Sequence, residues 1–235
     1  MLVEKSFDTG EVVLNYAEGP NNGPPLLLIH GWTDRWQDFL PIIPTLSMRW
    51  HIYALDFRGH GKSGRTQGKY RPEDIVEDIV VFLQDMVEEP AVLFGHSAGG
   101  VAALMLGVQL SEKVRAIIVG DSPIDLGSHI DQMSKEEMKH YWANLRDLLG
   151  RPMEELMSAL AERYDISRLR YSAKTLSQVD PEVLDFHAEG RTQEFFRMWI
   201  WMQCFVGSLA LFYCYREIPC REGFFQIMMW NMQSQ

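Results

Sequence analysis

Four mostly apolar runs punctuate the first half of the chain: Leu26–His30, His51–Asp56, Ala91–Gly95 and Val114–Gly120. Leu26-Leu-Leu-Ile-His has no polar residue at alternate positions, the pattern of a strand buried on both faces. Helical patterns lie between the runs. Arg71–Glu88 is opened by Pro72 in its first turn, and Ala98–Leu110 is rich in Ala and Leu. Buried strands alternating with helices predict the α/β class, a mostly parallel sheet with helices on both faces. A shorter segment at Glu11–Ala17 precedes the Leu26 run. The turn-rich Gly19-Pro-Asn-Asn-Gly-Pro-Pro between the two predicts a hairpin.

After Asp121 the alternation stops. Ser134-Lys-Glu-Glu137 is a capping box opening a helix to about Leu149, and Pro152-Met-Glu-Glu opens a second to about Arg163. Asp180-Pro181-Glu182 caps a third. The expected organisation is a core over 1–122, a helical cap inserted over 123–190, and a tail over 191–235 that fits neither. A cap in this position serves as a lid, because ligands of such sheets bind beyond the carboxyl ends of the strands.

Three segments carry candidate chemistry. Gly95-His96-Ser97-Ala98-Gly99-Gly100 stands where a buried strand ends and a helix begins. A tight strand-to-helix turn exposes the Ser side chain, and the glycines remove side chains that would clash. The helix also turns its positive end toward the site. Ser97 is therefore the candidate nucleophile; the plainer alternative is a Gly-rich turn holding an incidental Ser. His30-Gly31-Trp32 ends the Leu26 strand, and His30 reads best as a core histidine anchoring the loop. Asp56-Phe57-Arg58-Gly59-His60-Gly61-Lys62-Ser63 reads as a structural turn whose Asp and Arg tie neighbouring loops together.

In this order and spacing the three segments resemble the α/β-hydrolase fold family, in its esterase, lactonase and C–C hydrolase branch with a helical cap. The resemblance spans residues 1 to about 196. Ser rather than Asp at position 97, and Trp32 rather than Pro after His-Gly, point away from haloalkane dehalogenases and epoxide hydrolases. The resemblance implies that backbone N–H groups of Trp32 and Ala98 hold an oxyanion, and that an acid and a His complete a triad in the order Ser, acid, His. Asp121, ending the Val114 strand, is the candidate acid; it could equally do no more than cap the turn into Ser122-Pro123. The His is missing from its expected place, since none follows His187. His129, His140 and His187 fall in the cap region and read as solvated helix residues rather than a general base.

Composition sharpens the picture at the tail. The 235 residues carry 22 Lys+Arg against 32 Asp+Glu, a net charge of −10. Such a surface repels phosphate backbones and anionic lipid, so a small-molecule substrate is expected rather than nucleic acid or a membrane. With no basic-then-apolar leader the expected address is the cytoplasm. No metal or organic cofactor is implied, and oligomeric state is not legible. From Arg197 onward lie five of the 13 Met, three of the seven Trp and all three Cys (Cys204, Cys214, Cys220), but only two acidic residues.

The uncharged stretch 198–215 approaches membrane-span length, which would make this an anchored esterase. A shifted reading frame accounts for more. If each true codon takes the last base of one written codon and the first two of the next, the tail permits Asp-Val-Asp-Leu-Asp-Ala-Met-Leu-Arg-Gly-Ile-Ser-Cys-Pro-Val-Leu-Leu-Leu-Gln-Gly. The three Leu are forced by Phe212-Tyr213-Cys214-Tyr215. That is an acidic linker followed by a buried strand. The expectation is thus a serine hydrolase whose C-terminal core strands and catalytic His are lost from this chain. A non-catalytic truncated product is the alternative.

Overall fold

The computed structural model describes residues 2–122, 134–192 and the backbone of 228–231. Its centre is one seven-stranded sheet. The strands are β1 (Val3–Asp8), β2 (Val13–Glu18), β3 (Pro25–Ile29), β4 (His51–Leu55), β5 (Ala91–His96), β6 (Val114–Gly120) and β7 (Met228–Asn231). They lie in the order β1-β2-β4-β3-β5-β6-β7. The stretch β4-β3-β5-β6 is parallel throughout, as the apolar runs predict. Every residue of β3 is buried, which is why its sequence shows no alternation.

The helices are α1 (Ile43–Leu46), α2 (Pro72–Met86), α3 (Ala98–Gln109), α4 (Lys135–Arg146), α5 (Met153–Leu160), α6 (Ile166–Leu176) and α7 (Asp185–Ala188). Helix α2 buries Ile75, Val76, Ile79, Phe82 and Leu83, spaced as one face of a helix. With α3 that face closes the larger apolar core around Leu27, Leu55 and Leu93. A second core on the other face of the sheet gathers Leu26, Leu28, Trp36, Phe39 and Phe94. Adjacent β3 residues thus point into opposite cores.

One expectation needs correction. The link Gly19–Pro25 does not form a hairpin: β2 pairs antiparallel with β1 and with β4, and β3 lies beyond β4. The hairpin is β1–β2, closed at Thr9–Val12, where Thr9 N–H donates to Val12 O at 3.0 Å. Strand β1 is exposed at five of its six positions, so it has no apolar run to announce it. At the other edge, β7 pairs with β6 antiparallel, over Ala116↔Asn231 to Val119↔Met228. The stretch 198–215 lies outside the described residues. Among the described residues no helix is long and apolar enough to cross a membrane.

Residues 134–190 are mostly helical, and residues 123–133 of the expected helical insertion lie outside the described residues. Ser134 Oγ accepts from Glu137 N–H and the Glu137 carboxylate accepts from Ser134 N–H at 2.8 Å, the capping box read in the sequence. This layer docks on the loops after β3 and β4. Asp180 N–H donates to Gly59 O at 2.8 Å, and Tyr70 Oη donates to the Asp180 carboxylate at 2.8 Å. Arg35 reaches Thr175 and Gln178 on the opposite side, at 3.1 and 2.9 Å. Leu149, Val179, Val183 and Leu184 pack with Tyr70 beneath, against Trp32 and Trp142.

Candidate active site

The elbow is built from close backbone contact. Gly95 is the penultimate residue of β5 and Gly99 the second of α3; a Cβ on Gly95 would strike the Gly99 carbonyl, and one on Gly99 would strike Ile29 O. Only glycines let the helix sit this near β3. Between them Ser97 has φ 51° and ψ −119°, a left-handed conformation that costs a non-glycine residue roughly 1–3 kcal/mol. Ser97 N–H donates to Gly120 O at 2.9 Å, tying the elbow to the end of β6. Asp121 follows that carbonyl, is exposed, and itself has φ 44°.

Trp32 comes from the loop after β3, where Thr33 is also left-handed at φ 65°. Gly31 is the close-approach point: a Cβ there would lie 3.0 Å from Ser97 Cβ. Trp32 and Ala98 line one apolar hollow with Phe57, Pro72, Val101 and Met105. The structure thus brings Ser97, Trp32 and Ala98 together, with Asp121 at the end of the adjoining strand.

The histidines divide by what their ring nitrogens do. His30 is 1 % exposed; its Nε2 accepts from Phe57 N–H at 3.0 Å and its Nδ1 lies 2.7 Å from Gly31 O. It is the loop anchor that the sequence implied. His60 accepts from Thr33 N–H at 3.3 Å, and its other nitrogen meets Arg58 O at 3.0 Å. His51 pairs with Glu18, and His140 is exposed. His129 lies outside the described residues.

His187 overturns the expectation of a solvated residue. It is 2 % exposed, stacked on Trp142 with centroids 4.6 Å apart and edge-on to Trp32 at 5.9 Å, with Nδ1 3.1 Å from Thr192 Oγ1. An amphipathic ring wedged between the helical layer and the sheet loops loses its water, a burial the short pattern Asp185-Phe-His-Ala could not reveal. The pairing of His96 with Asp34, Nδ1 to Oδ2 at 3.3 Å, was also missed, because residues 62 apart in sequence give no local signal.

The Asp56 turn does what its sequence implied. The Asp56 carboxylate accepts from Trp36 N–H, Lys62 N–H and Asn15 Nδ2 at 2.8–3.0 Å. Burial pushes its pKa up, and these bonds pull against that rise. Arg58 reaches Asp78, Glu11 and the Lys69 carbonyl. Among the described residues no group of His, Cys, Asp and Glu is arranged to hold a metal ion.

Burial lowers the pKa of His30 to about 4, of His60 to about 3 and of His187 to about 4. An unfolded imidazole takes a proton near pH 6.5, so between 6.5 and 4 the unfolded state binds more protons. Stability is then complete above pH 6.5 and falls as pH drops. At about 1.4 kcal/mol per pH unit, His60 alone should remove roughly 2 kcal/mol between pH 7 and pH 5. Urea titrations at the two pH values should show His60→Gln losing that much less than the unsubstituted chain. Equal losses would refute the assignment of His60 as buried and neutral.

Known proteins place this architecture. The model of the alpha/beta hydrolase fold matches residues 24–190. The chain is 30 % identical over 120 residues to 2-(acetamidomethylene)succinate hydrolase of Mesorhizobium japonicum, covering 51 % of this chain and 43 % of that protein. It is 33 % identical over 112 residues to the serine hydrolase-like protein of Homo sapiens, covering 47 % and 55 %. The matched segments therefore span about half the length of these relatives. A solved structure of E-2-(acetamidomethylene)succinate hydrolase superposes with a TM-score of 0.67 at 22 % identity, over 82 % of this chain and 74 % of that one. By the match over residues 24–190, which covers the parallel strands β3 to β6 and the elbow, the chain belongs to the alpha/beta hydrolase fold family.

Proposed function

We propose that this fold is a serine hydrolase core acting on an ester-like or other acyl carbonyl substrate. Ser97 attacks the carbonyl carbon. A base removes its proton, Asp121 or an acid beyond the described residues orients that base, and the Trp32 and Ala98 backbone N–H groups hold the oxyanion. The observation that carries this reading is the left-handed Ser97 at the strand-to-helix turn. Strain of that kind persists where it serves a site, and here it faces the end of the sheet where ligands of this class bind. The membership in a family of hydrolases supports it. The partner is then a small molecule reached beneath the helical layer, in the cytoplasm, with no cofactor required.

A second reading is favoured by the count of histidines. Of the seven, His30 and His60 commit both ring nitrogens to backbone partners and His51 pairs with Glu18. His96 pairs with Asp34, His140 is exposed, His187 is buried against Trp142 and Trp32, and His129 lies outside the described residues. On this reading the tail after Phe196 is out of frame, and the chain is a non-catalytic product of a longer hydrolase. Fluorophosphonate labelling with peptide mapping separates the parts. A chain with the shifted frame restored to its natural stop should carry the adduct on Ser97 and lose it in Ser97→Ala. An adduct elsewhere, or none, removes Ser97 as the nucleophile.

A further inference from the structure

The loop Gly31–Asp34 carries the Trp32 amide and is held from two sides. On its inner side His60 Nε2 accepts the Thr33 N–H at 3.3 Å, and the His60 ring stacks on Trp32 with centroids 5.8 Å apart. On its outer side Asp34 Oδ2 lies 3.3 Å from Nδ1 of His96, the residue immediately before Ser97. The two sides meet at Gly31. A Cβ there would stand 3.0 Å from Asp34 Oδ2, 3.0 Å from Ser97 Cβ and 3.4 Å from His96 Nδ1. The ion pair therefore bridges the loop that bears one proposed oxyanion donor to the elbow that bears the proposed nucleophile. Left-handed Thr33 makes the loop want to relax, so it needs such a restraint.

We propose that Asp34 and His96 are positioning residues, a protonation-dependent latch that keeps the Trp32 N–H in register with Ser97. This rests on the reading of Ser97 and Trp32 given above. The latch is reachable by solvent protons, since the His96 and Asp34 side chains are 37 % and 30 % exposed. The charged groups acting on His96 are Asp34 in the loop, Asp38 in the next turn and Asp121 at the end of β6. His30, its neighbour from β3, is held neutral by burial. The Asp34 bond comes first among the causes that raise the His96 pKa above its ordinary value. The charged pair is thus complete below that raised value and is lost as pH climbs through it.

The test is a titration of the full chain by nuclear magnetic resonance, following the His96 ring and the Trp32 backbone amide from pH 5 to 9. Both should move with one midpoint above 6.5. Asp34→Asn should lower the His96 midpoint and leave the Trp32 amide flat, while Asp34→Glu restores the shared midpoint. A Trp32 amide that ignores pH while His96 titrates, or one that still follows it in Asp34→Asn, overturns the latch. A second arm uses the frame-restored protein. Asp34→Asn and His96→Gln should each slow fluorophosphonate labelling of Ser97 about tenfold at low pH, less than the loss of a whole oxyanion donor. The double variant should be no slower than either single, and the deficit should vanish above the midpoint. Labelled Ser97 with no deficit in either single variant overturns the latch and leaves the hydrolase reading intact. Coupled titration without any labelling of Ser97 does the reverse.

Discussion

On the proposed reading that the tail after Phe196 is out of frame, restoring the frame and extending it to its natural stop should raise turnover of an activated ester on the order of 10⁴-fold. Ser97→Ala should then erase the gain, whereas the same substitution in the chain as it stands should change turnover little. The reason is the proton. A Ser hydroxyl is a poor nucleophile until a base within hydrogen-bond reach takes its proton, and a site without that base keeps only oxyanion and binding contributions. The two most buried histidines of the core have both ring nitrogens occupied by the backbone. His96 is turned to Asp34, and burial biases His187 against carrying the proton it would have to accept. Brisk Ser97-dependent turnover by the chain as it stands would defeat this account. Substitution of His187, His140 and His129 in turn would then find the base.

How much of this was legible follows from where each signal sits. Strands β3, β4 and β5 announce themselves because they are buried almost throughout, β6 because its run is mostly apolar, and the elbow because its glycines fall within six residues of sequence. Local caps were equally plain: Ser134 with Glu137, and Asp180 before Pro181, which accepts from Glu182 N–H at 3.0 Å. What failed was anything fixed by distance. The Gly19–Pro25 link looks like a hairpin from its turn residues, but β2 chose β4, whose paired residues lie 35 or more positions away. Exposed β1 carried no pattern, and the α6 helix escaped notice although Asp165 caps it by accepting from Ser167 and Arg168 N–H.

The site divides the same way. Ser97 and Ala98 are neighbours, and Trp32 sits three residues past β3, so all three could be named from local context. His187 and the Asp34–His96 pair depend on which loops the sheet order brings together, and no window of sequence contains both partners. The edge-on contact of His187 with Trp32 joins the helical layer to the loop beside Ser97.

Removing Arg58 should cost about 3–5 kcal/mol of stability, read as a fall in unfolding free energy by urea titration of Arg58→Ala. Arg58 is 1 % exposed yet charged, and its guanidinium meets the Asp78 carboxylate through two parallel bonds of 2.6 and 2.7 Å. A third bond runs to Glu11 at 2.7 Å, and the Lys69 carbonyl takes a fourth at 3.2 Å. Asp78 is itself 3 % exposed on α2, so the pair rivets the β4 loop to that helix. Burial raises the Asp78 pKa while the Arg58 bonds draw it down. In a buried ion pair desolvation offsets much of the attraction, so such a pair adds little net stability. The cost of breaking it comes from the partner left behind, a carboxylate in an apolar place with only Thr9 to solvate it at 3.3 Å. That reasoning makes a sharper claim than the single variant does. Arg58→Met combined with Asp78→Leu should lose at least about 2 kcal/mol less than the sum of the two single losses. If the losses simply add, the bonds to Asp78 contribute as independent contacts, and the picture of a charge stranded by its partner's removal is wrong.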